Sequence, residues 1–113
     1  IVTNQSGIAR GFYKEDDFYL LHKKIKRNFI KKKIFFNDVL FCPHHPKGKI
    51  KKYKKKCLYR KPGNKMLEKI LSSWNIDTKK SYMIGDSRSD EICAKKSKIK
   101  FLYSEKNFYT KIK

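Results

Sequence analysis

Four short stretches of this 113-residue chain carry residue types that do chemistry. The first is Val2-Thr3-Asn4-Gln5-Ser6-Gly7-Ile8-Ala9-Arg10-Gly11, a hydroxyl at the end of an apolar strand followed by a polar turn. Hydroxyls and backbone N–H groups in such a turn can hold a phosphate oxygen. An ordinary strand-to-helix turn has the same composition. The second is Arg60-Lys61-Pro62-Gly63, two cations in a loop before a helix. Lysine supplies a compact point charge and arginine a bidentate fork, which together suit an anionic substrate. In a chain full of bases, two more solvated cations are the rival reading. The third is Gly85-Asp86-Ser87-Arg88-Ser89-Asp90, an aspartate just beyond a short apolar strand. Asp86 can hold Mg²⁺, which takes one or two carboxylates plus phosphate oxygens and water, or it can cap a helix. Asp90 suits loop geometry or a cap better than metal. The fourth is Cys42-Pro43-His44-His45-Pro46 with Cys57-Leu58-Tyr59. Two ligand pairs closing a loop is the logic of structural zinc, but a closed site takes four ligands. Cys42, His44 and Cys57 are good ones, Tyr59 is a poor one, and His45 is an alternative only if His44 bends its backbone awkwardly. Cys93 reads as a small buried apolar residue.

The elements that must position these stretches follow from hydrophobic pattern. Ile1-Val2-Thr3 reads as the end of a buried strand, and Asn4 to Gly7 as a turn. From about Glu15 to Lys32 the period is helical, with Phe18, Leu21, Ile25 and Phe29 on one face. Asp16 and Asp17 fall near its start, where the helix dipole favours negative charge. Asp38 to Phe41 reads as a strand, and Cys42 to Gly63, with all three prolines, as a long loop. Met66, Leu67, Ile70, Leu71 and Trp74 mark a second amphipathic helix. Tyr82 to Ile84 is a strand, Asp90 to Lys96 a short helix and Ile99 to Tyr103 a last strand; the tail from Ser104 is ambiguous. Strands alternating with helices predict an α/β domain with a mainly parallel sheet. Ligands bind beyond the carboxyl ends of such strands, where three of the four stretches lie.

Composition narrows the class. The formal net charge is +20, with 30 basic and 10 acidic residues, and 39% of the chain is hydrophobic. That apolar share argues against full disorder. No apolar run reaches the ~18 residues of a membrane helix, no signal peptide is visible, and three cysteines make no disulfide framework. A cytoplasmic location and a monomer are expected. Lysine outnumbers arginine 26 to 4, and Ala and Val number two each. Surfaces selected for nucleic acid lean on arginine, so A+T-rich codon usage explains most of the lysine. Gly, Pro, Arg and Ala total 14, yet twelve of them fall within residues 1–11, 42–48, 57–63 and 83–90. Loops attract Gly and Pro; they do not explain Arg10, Arg60 and Arg88.

In this order the four stretches resemble the histidinol-phosphatase/heptose-bisphosphatase branch of the haloacid dehalogenase superfamily, over about residues 1–103. The long gap between His44 and Cys57 is similar to the heptose-bisphosphate 7-phosphatase type; histidinol phosphatases have a shorter zinc loop. The resemblance implies a Rossmann-like fold and a Mg²⁺-dependent sugar-phosphate phosphatase working through an aspartyl-phosphate. Thr3 and Lys61 would stabilise the phosphoryl group. Asn4, Gln5, Ser6 and Arg10 would contact substrate and Arg60 would recognise it. Asp86 would hold Mg²⁺, and Cys42, His44 and Cys57 match three zinc positions. Tyr59 stands where the family has its fourth ligand, a cysteine, and Ser87 where heptose enzymes often carry lysine. The family's Asp-x-Asp-Gly-Thr motif, with nucleophile and acid/base, is absent. The expectation is therefore a single domain over 1–113, truncated before Ile1, lacking its first strand and inactive alone, since no aspartyl-phosphate forms without the nucleophile.

Two rivals stand beside this reading. A polynucleotide 3′-phosphatase of the same superfamily shares a similar Thr-Asn-Gln turn and Arg-Lys-Pro stretch, but the Cys-Pro-His-His-Pro stretch and long loop disfavour it. A non-catalytic basic remnant would bind nucleic acid through residues 21–60, which hold 15 Lys or Arg and one acidic residue, Asp38. Its lysine bias, and the lack of an aromatic stacking pattern, disfavour nucleic acid as the partner.

Overall fold

The computed structural model describes residues 1–104, so the tail beyond Ser104 lies outside the described residues. Two compact units meet in sequence between Cys57 and Leu58.

In the first unit, β1 (Val2–Asn4) runs parallel to β2 (Leu40–Cys42), with Thr3 opposite Phe41. The Gln5 N–H extends the pairing to the Cys42 carbonyl at 2.8 Å. The polar turn after β1 winds into a short helix, α1 (Ser6–Ala9), which buries Ile8 and Ala9. The long helix predicted from Glu15 is α2 (Glu15–Ile30), and Glu15, Asp16 and Asp17 fill its first turn, where negative charge meets the dipole. Its apolar face differs from the predicted one. Leu21 is 55% exposed. The stripe runs through Phe18, which packs on Phe41 with tilted rings and centroids 4.4 Å apart, and through His22 and Phe29, which both meet Phe36. His22, one turn on from Phe18, takes the place expected of Leu21. β2 begins at Leu40 rather than Asp38 because Asp38 Oδ1 accepts the Val39 N–H at 2.8 Å. This local turn removes that amide from the ladder.

The lysine-rich loop is more ordered than its composition suggests. Lys49 and Ile50 both donate backbone N–H groups to the Ala9 carbonyl, at 2.8 and 2.9 Å. The His45 N–H donates to the Tyr53 carbonyl, and residues 51–53 form a single 3₁₀ turn. Gly48 is required by the close approach: a Cβ there would lie 2.8 Å from the Ala9 Cβ and 2.9 Å from its carbonyl oxygen. Hydrogen bonding thus organises a segment that has little apolar surface to bury.

In the second unit, α3 (Lys65–Ser73) buries Met66 and Leu67 and stops before Trp74, whose backbone is extended. β3 (Tyr82–Gly85) pairs in parallel with β4 (Lys100–Tyr103). Between them α4 (Arg88–Lys96) buries Cys93 and Ala94. Cys93 is 1% exposed and burial pushes its thiol up, as expected of an inert core cysteine. Strand pairing among the described residues is parallel throughout, in two two-stranded sheets. No helix among these residues is long and apolar enough to cross a membrane.

Candidate active site

The polar cluster of the first unit starts at the carboxyl end of β1. Thr3, Asn4, Gln5 and Ser6 are all half-buried. Gln5 Nε2 donates to Thr3 Oγ1 at 2.9 Å, and the Tyr13 hydroxyl donates to Gln5 Oε1. Burial pushes the Tyr13 phenol up. Its ring lies over Gly7, where a Cβ would overlap it. Arg10 is exposed and lines a groove of about 350 Å³ with Phe12, His45, Lys47 and Lys49. It groups with the lysine-rich loop and not with the Thr3–Gln5–Tyr13 hydrogen bonds.

The same unit brings three metal-ligand residues together. The ligand atoms of Cys42, His44 and Cys57 lie within 4.8 Å of one another, the only such group of His, Cys, Asp or Glu among the described residues. Cys42 is fully buried, with Sγ 3.7 Å from His44 Nδ1. Burial lowers the His44 pKa and the Lys55 cation adds to this, against a smaller opposing effect of Glu15. The neutral imidazole so favoured is the form that ligates metal. His45 is not in the group: its Nδ1 accepts the Lys47 N–H at 3.0 Å, and its backbone pairs with residues 53 and 54.

In the second unit the turn Arg60-Lys61-Pro62-Gly63 closes on a hydrogen bond from Gly63 N–H to the Arg60 carbonyl, 2.8 Å. Lys61 reaches Asp90 with Nζ 2.5 Å from Oδ1, both side chains nearly buried. Asp90 Oδ2 accepts from the Asp86 N–H, the Ser87 N–H and the Ser87 hydroxyl, at 3.2, 3.2 and 2.9 Å. Ser87 in turn accepts the Asp90 N–H, a reciprocal cap at the start of α4. Burial alone raises the Asp90 pKa, but the hydrogen bonds from Lys61 and Ser87 outweigh it and hold the carboxyl below its ordinary value. Asp90 is therefore the scaffold of the Gly85–Asp90 loop. Asp86 is left exposed at the carboxyl end of β3, where a carboxylate can reach a hydrated cation. Arg60 Nη1 is buried with no hydrogen-bond partner among the described residues. Such a donor costs free energy unless an acceptor meets it.

Sequence reasoning missed two participants. The Lys61–Asp90 pair joins residues 29 positions apart, beyond any local pattern. Tyr13 lies eight residues from Gln5, at no periodic spacing, and only its aromatic-plus-hydroxyl type hinted at a role.

Gly63 carries a prediction. A Cβ at Gly63 would overlap the Leu58 carbonyl and stand 2.8 Å from the Arg60 carbonyl oxygen. Both are backbone atoms that cannot swing away. Gly63→Ala should destabilise the chain by about 2 kcal/mol, as overpacking does, and a urea titration followed by Trp74 fluorescence would measure it. An unchanged midpoint would mean that the turn has room to move.

The family model for haloacid dehalogenase-like hydrolases matches residues 50–103. Heptose-bisphosphate phosphatases are among the proteins this chain is similar to. It is 42% identical over 95 residues to the D-glycero-beta-D-manno-heptose-1,7-bisphosphate 7-phosphatase of Rhodopseudomonas palustris, covering 84% of this chain and 53% of the relative. It is 39% identical over 90 residues to the D-glycero-alpha-D-manno-heptose-1,7-bisphosphate 7-phosphatase of Photorhabdus laumondii, covering 80% and 49%. Among solved structures it resembles the D,D-heptose 1,7-bisphosphate phosphatase of B. bronchiseptica complexed with magnesium and phosphate, with a TM-score of 0.75, 26% identity and coverage of 90% and 52%. The fold is that of the haloacid dehalogenase phosphatases. The chain spans about half the length of the curated relatives it matches.

Proposed function

We propose that this chain carries phosphate-recognising and metal-binding side chains of a Mg²⁺-dependent sugar-phosphate phosphatase, most like the heptose 1,7-bisphosphate 7-phosphatases. The observation that carries this reading is the buried, unpartnered Nη1 of Arg60, in a turn that also holds a nearly buried lysine. A guanidinium nitrogen in that state is completed by an anionic oxygen. Thr3 and Lys61 would neutralise and orient the phosphoryl group. Asn4, Gln5, Ser6 and Arg10 would contact the sugar phosphate. Phosphoryl transfer depends on positioning and charge neutralisation, which hydroxyl and cation supply. The exposed Asp86 fits Mg²⁺, which when bound offsets phosphoryl charge. Cys42, His44 and Cys57 fit zinc by donor type and convergence, and their metal would pin the lysine-rich loop. A cytoplasmic setting suits three cysteines outside any disulfide. The Asp-x-Asp-Gly-Thr motif occurs nowhere in the 113 residues.

Calorimetric titration of the 113-residue chain with Mg²⁺ tests the reading. The ligands are heptose 1,7-bisphosphate, histidinol phosphate and a 3′-phosphorylated oligonucleotide. The bisphosphate should bind most tightly, and Arg60→Ala should weaken it at least about tenfold, the effect of one hydrogen bond to a charged group. Tightest binding of the oligonucleotide, falling steeply with salt, would favour a nucleic-acid function instead.

A further inference from the structure

The proposed function has Thr3 donate its hydroxyl proton to phosphate, and that proton needs to be free to point outward. A threonine hydroxyl has one proton to donate and two lone pairs that accept. In this structure Oγ1 accepts from Gln5 Nε2 at 2.9 Å. Among the described residues the hydroxyl's own proton has only the Asn4 carbonyl to face, at 3.4 Å, well beyond a normal O–H···O distance. Gln5 could present either end of its amide to Thr3, since carbonyl and NH₂ have nearly the same shape. If the carbonyl faced Thr3, it would accept the hydroxyl proton and leave none for a ligand. A phenol can donate or accept, and in this structure the Tyr13 hydroxyl takes the donor role. It donates to Gln5 Oε1, which turns the NH₂ towards Thr3.

We infer that Tyr13 is a positioning residue: its phenol fixes the Gln5 amide so that Thr3 keeps its hydroxyl proton for an oxygen of a bound phosphate. The inference rests on the reading of Thr3 as a phosphate donor. It gives Gly7 a purpose as well. A side chain at residue 7 would meet the Tyr13 ring, with Cζ at 2.9 Å and the hydroxyl oxygen at 3.0 Å, and would push the phenol off Gln5. A phenol is protonated at neutral pH, so it has the proton this relay needs, from Tyr13 through Gln5 to Thr3.

Tyr13→Phe removes only the donor. Two measurements on the 113-residue chain separate the relay from the phosphate reading. The first is NMR of the Gln5 side-chain amide, which needs no ligand. In the unaltered chain its protons should exchange slowly with solvent and show a distinct shift; in Tyr13→Phe that protection should be lost while the backbone spectrum stays folded. The second is titration with inorganic phosphate. Tyr13→Phe should weaken binding about threefold to tenfold, the usual span for one hydrogen bond. In a Gln5→Ala background the same substitution should change nothing, because the relay is already cut. A packing role for Tyr13 would not depend on Gln5. Equal losses in both backgrounds, or an unchanged Gln5 amide in Tyr13→Phe, would overturn the inference. If the Gln5 amide behaves as expected but the unaltered chain binds no phosphate, the relay stands as structure, and the phosphate role of Thr3 is what fails.

Discussion

Asp90→Ala should cost the chain about 3–5 kcal/mol, the usual consequence of removing one partner from a buried ion pair. The Asp90 side chain is 7% exposed and that of Lys61 12%. Solvent therefore does little to replace the missing carboxylate. The substitution strips Lys61 of its anion and also removes the acceptor for Asp86 N–H, Ser87 N–H and the Ser87 hydroxyl. Small domains have only about 5–15 kcal/mol to lose, so most of the folded margin goes. Lys61→Met should cost less, because Asp90 keeps its three other donors and only the ammonium is lost. Urea unfolding followed by Trp74 fluorescence would rank the two. Losses below about 1 kcal/mol would mean that the pair behaves as a solvated surface bridge. Acid gives an independent check. The Asp90 carboxyl is held below its ordinary value, so its stabilisation is fully present above the unfolded-state pKa. It is lost as the pH falls through the folded-state value. In Lys61→Met the depression shrinks, and the acid transition should move to higher pH.

Much of the site could be read from the chain because its chemistry is local. Cys42-Pro43-His44, Gly85-Asp86 and Arg60-Lys61-Pro62-Gly63 keep donor types at fixed short spacings, and the elements around them follow hydrophobic period. The parallel strands, α2 and the capping role of Asp90 follow from the same rules. What was not legible depends on contacts between distant residues or on competition within one turn. The Lys61–Asp90 pair crosses 29 positions. The α2 face shifted because rings outcompete leucine for the same surface: His22 meets Phe18 and Phe36, while Leu21 is left outside. The lysine-rich loop has little apolar surface to bury, so its order does not follow from composition. In the structure a single carbonyl, that of Ala9, accepts two of its N–H groups. Charge patterning along a sequence does not show where backbone donors will find an acceptor.

That last point shapes the second large effect, which concerns metal. Cys57→Ala should weaken zinc binding by more than 100-fold, beyond what the loss of an outer-shell partner does, because it removes one of three converging ligands. Titrating Co²⁺ into the unaltered chain should produce thiolate charge-transfer absorption in the near ultraviolet, and competition with Zn²⁺ then gives the affinity. Cys57→Ala should lose most of that absorption. Cys93→Ala should leave it intact, since Cys93 is a core residue of the other unit. Equal Zn²⁺ affinity in all three chains would remove the zinc reading. Binding should also weaken in acid, since both thiols and the imidazole must shed protons to ligate. The fold need not collapse with it. Two backbone hydrogen bonds to Ala9 and the 51–53 turn hold the loop independently of the cysteines. Cys57→Ala should therefore separate metal affinity from stability: a large loss of Zn²⁺ binding with only a small shift in the urea midpoint of the metal-free chain. A large shift in that midpoint would instead make Cys57 part of the packing that shapes the loop, with its thiol serving the core before it serves any ion.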